Sequence, residues 1–376
     1  MTNKNLRFLI YSHFYYPSIG GVERHADNLT KLLINKGYYV TIITQIGNRG
    51  LEIKPKITIV RRPSIALLSS LIFYHDIIHM QGFNIFVYLF AKLFRKRIVW
   101  YHHTYDVCSV GGGSSIYKGF FKTLEPHLRR NLVGILLWLS FHISRMIAKI
   151  DKKITHIVTT YYMLMKFRDF VRSSSWNVIY HPILFDNLNH ISLNNSNHYG
   201  NYILLYGRMM AGKGEDVLIK ALKILKDKGI IYRAIICGPS PSKDYPNNLI
   251  KFFRLENQVT YVGPRLGKEL IDLINNSSIV VLPTVSEEGF GLTAIEAMYF
   301  GKPVIASYTS GLAEIVGNFG ILIPPNDPYA LAEAILELMS NKNKIERLGK
   351  KAKEYARRVF DPENYLQKYL RAILND

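Results

Sequence analysis

The sequence predicts an α/β protein made of two doubly wound domains facing a central cleft, with its chemistry on glycine turns at strand ends. Three observations lead there. At 376 residues the chain exceeds the size at which a single hydrophobic core stops growing. The order strand, glycine turn, helix, strand appears near the N-terminus and starts again near residue 201. Separating the two halves is DNLNHISLNNSNHYG, residues 186–200, a polar tract rich in Asn that reads as a linker.

Taken in order, LRFLIYSHF reads as a strand, YYPSIGG as the loop after it, ERHADNLTKLLINKG as a helix stopped by Gly37, and YVTIIT as the next strand. ITIVRR, DIIHM, RIVWYHH and HIVTT continue as strands separated by helical stretches. Apolar runs of this kind belong to a mostly parallel sheet covered on both faces. The second half opens with the strand NYILLYG, the helix GEDVLIKALKILKDKG stopped by Gly229, and the strands YRAIICG and VTYVG. KELIDLINNS, IVVLPT, PVIAS and GILIPP follow, then a helix from Pro328 to about Leu338. A terminal helical segment, Asn343 to Leu374, breaks near Asp361-Pro362. The expected division is a first domain over 1–185, a linker over 186–200, a second domain over 201–355, and a closing helix over 356–376 that crosses back to the first domain.

Charge is divided unequally. Residues 1–185 hold 25 of the 48 Lys and Arg but 8 of the 28 Asp and Glu, so most of the net charge of +20 sits in the first half. That asymmetry suggests a face turned toward an anionic partner, such as a phospholipid surface, nucleic acid or a phosphorylated acceptor. Its plainer reading is a well-solvated basic surface. The two cysteines, Cys108 and Cys237, lie far apart without metal-ligand spacing, which suits a reducing compartment. MTNKNLRFLIYSHFYYPS has too short an apolar run for a signal peptide, so a cytoplasmic location is expected. NLVGILLWLSFHI, flanked by Arg129, Arg130 and Arg145, is apolar over 13 residues, short of the roughly 20 that a spanning helix needs. It reads as a core helix or as one lying in the bilayer interface, and the stretch Ser64–Phe94, interrupted by His75, Asp76, His79 and Gln81, also does not span.

Two motifs carry chemistry. GRMMAGKGED, residues 207–216, follows a strand and precedes a helix, where a glycine loop and a helix N-terminus present backbone N–H groups to an anion. Arg208 and Lys213 add positive charge, so a phosphate site is the inference, with an ordinary βα turn as the alternative. It is no P-loop, because Gly214 stands where Ser or Thr would hold magnesium. In LPTVSEEGFGLTAIEAM, Glu288 is placed at a strand end, Gly289-Phe290-Gly291 forms a tight turn, and a helix starts at Leu292. Backbone N–H groups of 289–293, Leu292 and Thr293 included, would face an anion while Glu288 and Glu296 accept hydrogen bonds from hydroxyls. Glu296, expected in the first helical turn, suits ribose, and Glu288 suits a transferred sugar. Phosphate plus polyol describes a sugar nucleotide.

These residues resemble a known family. Gly207-Arg208 with Lys213-Gly214, then Glu288-Gly289-Phe290-Gly291-Leu292 with Glu296-Ala297, then Gly301-Lys302-Pro303-Val304, look like the donor-site signature of family 4 retaining glycosyltransferases of GT-B fold, two Rossmann-like domains. Pro17 and Gly20-Gly21-Val22-Glu23 resemble the family's first glycine loop, and Asp76-Ile77-Ile78-His79 a strand motif of the same domain. The resemblance implies a donor bound chiefly by the second domain, an acceptor bound by the first, and chemistry in the cleft. Arg208 and Lys213 would neutralise the diphosphate, the backbone at Phe290 to Thr293 would hold the distal phosphate and sugar, Glu296 the ribose and Glu288 the sugar hydroxyls. His103 matches the family's strand-end histidine, positioning the reacting sugar. Only one of His102 and His103 should face the ligand, since neighbours on a strand point opposite ways. Structural roles for both, or a chance cluster of His102, His103 and Asp106, are the alternatives.

Such enzymes need no metal, and the chain has no Asp-x-Asp pair; no cofactor is expected beyond the nucleoside-diphosphate sugar, UDP- or GDP-linked. Retention would come from the departing phosphate guiding the acceptor hydroxyl to the same face. One departure is His181-Pro182, within NVIYHPILFD, where many relatives carry Asn-Gly-Val-Asp. The reading is transfer of a hexose to a lipid-linked saccharide or glycolipid in cell-surface polysaccharide or N-glycan assembly, with the basic first domain on an anionic membrane at the inner face of the cell. A nucleotide-sugar 2-epimerase is the rival enzyme. A basic membrane- or nucleic-acid-binding protein is the rival from another class, and nucleic acid is disfavoured by the lack of a zinc finger, basic zipper or RNP signature.

Overall fold

The computed structural model describes residues 6–16, 20–103, 132–168, 176–184, 200–209, 212–240, 242 and 244–374, with the side chains of 132–138 outside that set. The chain divides into two compact units: Met1–Pro182 with Pro362–Asp376, and Ile183–Asp361. The return of the chain to unit 1 thus starts at Pro362, six residues later than 356. Segment 186–199 of the expected linker lies outside the described residues, as do Pro17 and Asp106.

In unit 1 the order is β1 (Arg7–Tyr11), α1 (Gly21–Asn35), β2 (Tyr39–Thr44), β3 (Gly50–Lys54), β4 (Ile57–Arg61), α2 (Ile65–Tyr74), β5 (Ile77–Met80), α3 (Ile85–Leu93), β6 (Arg97–His102), α4 (Leu132–Ile150), β7 (Thr155–Val158), α5 (Tyr161–Arg168) and β8 (Trp176–Val178). Its sheet runs β3-β4-β2-β1-β5-β6-β7-β8. Every pairing is parallel except β3 with β4, a hairpin edge whose Leu51 and Ile53 face solvent. The helices begin where polar side chains stand in for missing backbone partners: Ser64 accepts from Leu67 N–H at α2, and Asn84 from Val87 N–H at α3. Leu9, Ile43, Ile78, Val87, Trp100 and Phe167 meet in the core.

Unit 2 follows with β9 (Tyr202–Tyr206), α6 (Glu215–Asp227), β10 (Arg233–Cys237), α7 (Tyr245–Phe252), β11 (Val259–Tyr261), α8 (Gly267–Asn275), β12 (Ile279–Leu282), α9 (Leu292–Tyr299), β13 (Val304–Ser307), α10 (Ser310–Val316), β14 (Ile321–Ile323), α11 (Pro328–Met339) and α12 (Lys342–Val359). The sheet order β11-β10-β9-β12-β13-β14 is parallel throughout. Asp327 accepts from the N–H groups of Tyr329 and Ala330, and Pro328 opens α11, the expected chemistry of a helix start. Pro362 then opens α13 (Pro362–Leu374), which packs on α1 in unit 1. Strand order reverses between β9 and β12, which pair directly, so the loops leaving their carboxyl ends emerge side by side. Ligands of open parallel sheets gather at such a reversal.

No helix among the described residues is long and apolar enough to cross a membrane.

Candidate functional site

The loop after β9 and the loop after β12 are tied together. Val285 and Ser286 donate their N–H groups to the Gly212 carbonyl at 2.8 and 3.2 Å. Glycine is required where they meet: Gly214, at φ +86°, brings its α-carbon so near that a Cβ would lie 1.9 Å from the Pro283 carbonyl oxygen. Gly291, at φ +106°, begins α9 with no capping side chain, and a Cβ there would strike Leu312 at 2.7 Å. Gly207 faces Thr293, whose methyl would sit 3.6 Å from an added Cβ. The two glycine turns and the starts of α6 and α9 therefore form one cradle.

Charged groups line it. Lys213 Nζ lies 2.7 Å from Glu288 Oε1, with both side chains part exposed. The sequence did not foreshadow that pair. Thr284 Oγ1 donates to the other Glu288 oxygen at 3.4 Å, and Ser310 Oγ accepts from the Glu288 N–H and donates to its carbonyl, fixing the residue at both ends. Glu288 stands six residues beyond β12 in this braced loop, a correction to the expected strand end. Arg208 is exposed and has no hydrogen-bond or ion-pair partner among the described residues. Phe290 is buried, edge-on to Phe360 at 6.0 Å, so at this position the backbone is left to meet a ligand.

Glu296 also moves. The helix starts at Leu292 as expected, which makes Glu296 its fifth residue and places it just past the first turn of 3.6 residues. There it is buried and accepts from the Tyr206 hydroxyl at 3.4 Å, while the same hydroxyl contacts the Thr293 carbonyl at 2.8 Å. Lys302, from the last matched motif, is buried and donates to the Asn275 carbonyl at 2.7 Å; burial and Lys353 bring its pKa down to about 8. Sequence reasoning passed over Glu215, the first residue of α6. It is buried, neither carboxylate oxygen has a hydrogen-bond partner among the described residues, and burial raises its pKa.

Unit 1 offers a different cluster. Gly20 precedes α1 in extended backbone and Gly21 is its first residue; α1 carries His25 inward. His102 and His103 diverge as strand neighbours do: His102 stacks on Trp100 and His156, and its Nε2 lies 3.0 Å from His156 Nδ1. His103, just past β6 and half-buried, lies parallel to His181 at 5.3 Å and edge-on to His25 at 4.8 Å. The phenols of α13 complete the nest. Tyr365 hydroxyl lies 2.7 Å from His25 Nε2, and Tyr369 hydroxyl 2.8 Å from His79 Nδ1. Burial holds these rings uncharged, with His79 and His181 brought down to about 3; neighbouring imidazoles depress His25 and His103 further. His25, Tyr365 and Tyr369 carried no motif that would single them out, and His79 stood only as the last residue of the matched strand motif.

Residues 189–355 match the family described as Glycosyl transferases group 1, and residues 19–157 match Glycosyltransferase Family 4. The chain belongs to the family 4 glycosyltransferases, of GT-B fold. Among its glycosyltransferase relatives is a D-inositol 3-phosphate glycosyltransferase of Corynebacterium glutamicum, 34% identical over 163 residues, which are 41% of this chain and 39% of that one. The chain spans less than half the length of the curated relatives it matches first. Anabaena HepE, solved with UDP and glucose, superposes with a TM-score of 0.72 at 17% identity over 99% of this chain and all of that one. Sucrose-phosphate synthase of Thermosynechococcus elongatus gives 0.72 at 19% identity over 97% of each chain.

Proposed function

We propose that the protein is a retaining, metal-independent glycosyltransferase that moves a hexose from a nucleoside-diphosphate sugar, UDP-linked, to a hydroxyl of a lipid-linked saccharide or glycolipid. One observation carries the reading: the cradle of unit 2 sets Lys213, Glu288 and the exposed Arg208 around two glycine turns that open helices without side-chain caps. A diphosphate supplies what these helix starts lack, a group that accepts from backbone N–H donors. In this reading the phosphates take Lys213 from Glu288, which frees Glu288 to accept from sugar hydroxyls. Arg208 joins Lys213 in stabilising the charge on the departing diphosphate. Glu296, oriented by Tyr206, takes ribose, and the retained configuration follows from the phosphate drawing the acceptor hydroxyl to its own face. His103 of unit 1 positions the reacting sugar. Support also comes from HepE, a solved structure of the same fold that holds UDP and glucose.

The acceptor side rests on the surface of α2 and α3. Phe73, Tyr74, Leu89 and Leu93 are exposed there, with Lys96 over the Phe73 ring at 5.6 Å. Apolar side chains beside cations suit the interface of an anionic bilayer. Flotation with anionic vesicles at low salt should carry the protein upward, and protein left at the bottom counts against it.

The donor test is a thermal-shift panel of UDP, GDP, ADP and their sugar conjugates on the wild type and on Glu296→Ala. Stabilisation of the wild type alone by one nucleotide supports the site; no stabilisation by any of them overturns it.

A further inference from the structure

His25, His103 and His181 come from three distant parts of the sequence, yet one ring nitrogen of each lies within 4.8 Å of the others. The hydrogen bonds of two of them fix which ring nitrogen carries the proton. Gln81, with its amide oriented to donate to Val22 carbonyl at 2.9 Å and accept from Ala26 N–H, accepts from His25 Nδ1–H at 3.1 Å, so the lone pair of His25 is on Nε2. Tyr101 spends its hydroxyl proton on the Ile179 carbonyl at 3.1 Å and so accepts from His181 Nδ1–H at 3.3 Å, which leaves Nε2 of His181 unprotonated. Neither ring nitrogen of His103 has a hydrogen-bond partner among the described residues. Being half-buried, His103 also opens the cluster to solvent.

We propose that His25, His103 and His181 form a site for one divalent transition-metal ion of the zinc class. Three neutral imidazoles suit zinc, copper or nickel and not magnesium or calcium, which prefer oxygen. Behind two of the ligands stand groups that fix the tautomer, Gln81 behind His25 and Tyr101 behind His181, as metal-binding histidines usually have. Bonds of roughly 2.0–2.1 Å need the nitrogens nearer together than they stand now, so the rings must turn inward on the ion. The Tyr365 hydroxyl, which donates to His25 Nε2 at 2.7 Å, has to turn off that lone pair as the ion enters, and its oxygen or a water takes the fourth position. On the reading of His103 as a sugar-positioning group, a bound ion withdraws it from the substrate, and the metal inhibits transfer rather than driving it.

The experiment is titration of the metal-free full chain with cobalt(II) in the absence of nucleotide, following the visible d–d absorption of a tetrahedral site. The wild type should saturate at one equivalent, with zinc bleaching the band. His103→Ala, with its fold checked by circular dichroism, should lose the band, and His13→Ala, at an exposed histidine outside the cluster, should keep it. Gln81→Leu should weaken affinity by about 10- to 100-fold. No band in the wild type, or a band of wild-type affinity in His103→Ala, overturns the proposal. Because nucleotide is absent, a failed donor panel leaves this result intact, and a failed titration leaves the donor site intact.

Discussion

The cradle of unit 2 keeps Arg208, Lys213 and Glu288 on turns that solvent reaches, whereas unit 1 buries uncharged imidazoles and phenols in a nest completed by its last helix. In the cradle, Lys213 and Glu288 satisfy each other across a part-exposed 2.7 Å contact, which an anionic ligand can replace at small cost. In the nest, His79 bonds to Tyr369 and His25 to Tyr365 out of reach of water, and a proton on any of these rings would be a buried charge. The first arrangement is built to exchange partners. The second is built to hold one protonation state.

The comparison breaks most sharply at Lys213. Lys213→Ala should lower the transfer rate by about 10²–10³ while leaving the unfolding of unit 1 unchanged, on the scale of other electrostatic stabilisers; steady-state kinetics beside a denaturation curve decides it, and near-normal turnover would remove Lys213 from the mechanism. Gly214→Ala should cost unit 2 about 3 kcal/mol, since the new methyl meets the Pro283 carbonyl at a left-handed backbone position. Circular dichroism melts should show that loss without a change in tryptophan fluorescence, because Trp100, Trp138 and Trp176, the three tryptophans of the chain, all fall in unit 1.

Acid separates the units next. His79 and His181 sit near 3 in the folded chain against 6.5 unfolded, so below pH 6.5 the unfolded state binds protons that the native rings refuse. Their stabilisation is complete above about pH 6.5 and is lost as the pH falls toward 3, on the order of 1 kcal/mol per pH unit for each ring. Tryptophan fluorescence melts from pH 7 to pH 5 should show unit 1 weakening steeply, and a flat profile would mean that the rings are not held neutral. Tyr365→Phe should cost unit 1 about 1 kcal/mol by removing the partner of His25. Lys36→Met, which breaks the exposed ion pair with Glu363 at 2.7 Å, should shift the same melt by under about 0.5 kcal/mol.

What the sequence disclosed follows from how local each signal is. The parallel strands were readable because burial on both faces makes each a short apolar run, as in Ile279–Leu282 and Val304–Ser307. β3 went unnoticed because GLEIK is exposed along its whole length and has no buried face to impose alternation. The cradle was legible because its residues crowd into two contiguous turns where glycine has no substitute. Its details were not: Glu296, expected to face ribose from the first turn, falls just past it and is held by the Tyr206 hydroxyl 90 residues away, and the pairing of Lys213 with Glu288 spans 75 residues. The histidine nest was legible only in pieces: His79 and His103 fell in matched motifs and His181 in a departure from one, but nothing local tied them to His25 or to Tyr365 and Tyr369, which α13 brings back to unit 1.

That return also sets an order of events during synthesis. Residues 183–361 interrupt unit 1, so a ribosome delivers the whole of unit 2 before it supplies Tyr365 and Tyr369. At ordinary translation speeds the wait is on the order of 10 s. For that interval the nascent first unit has its histidines without their phenols, while the later-made second unit already holds every residue it needs.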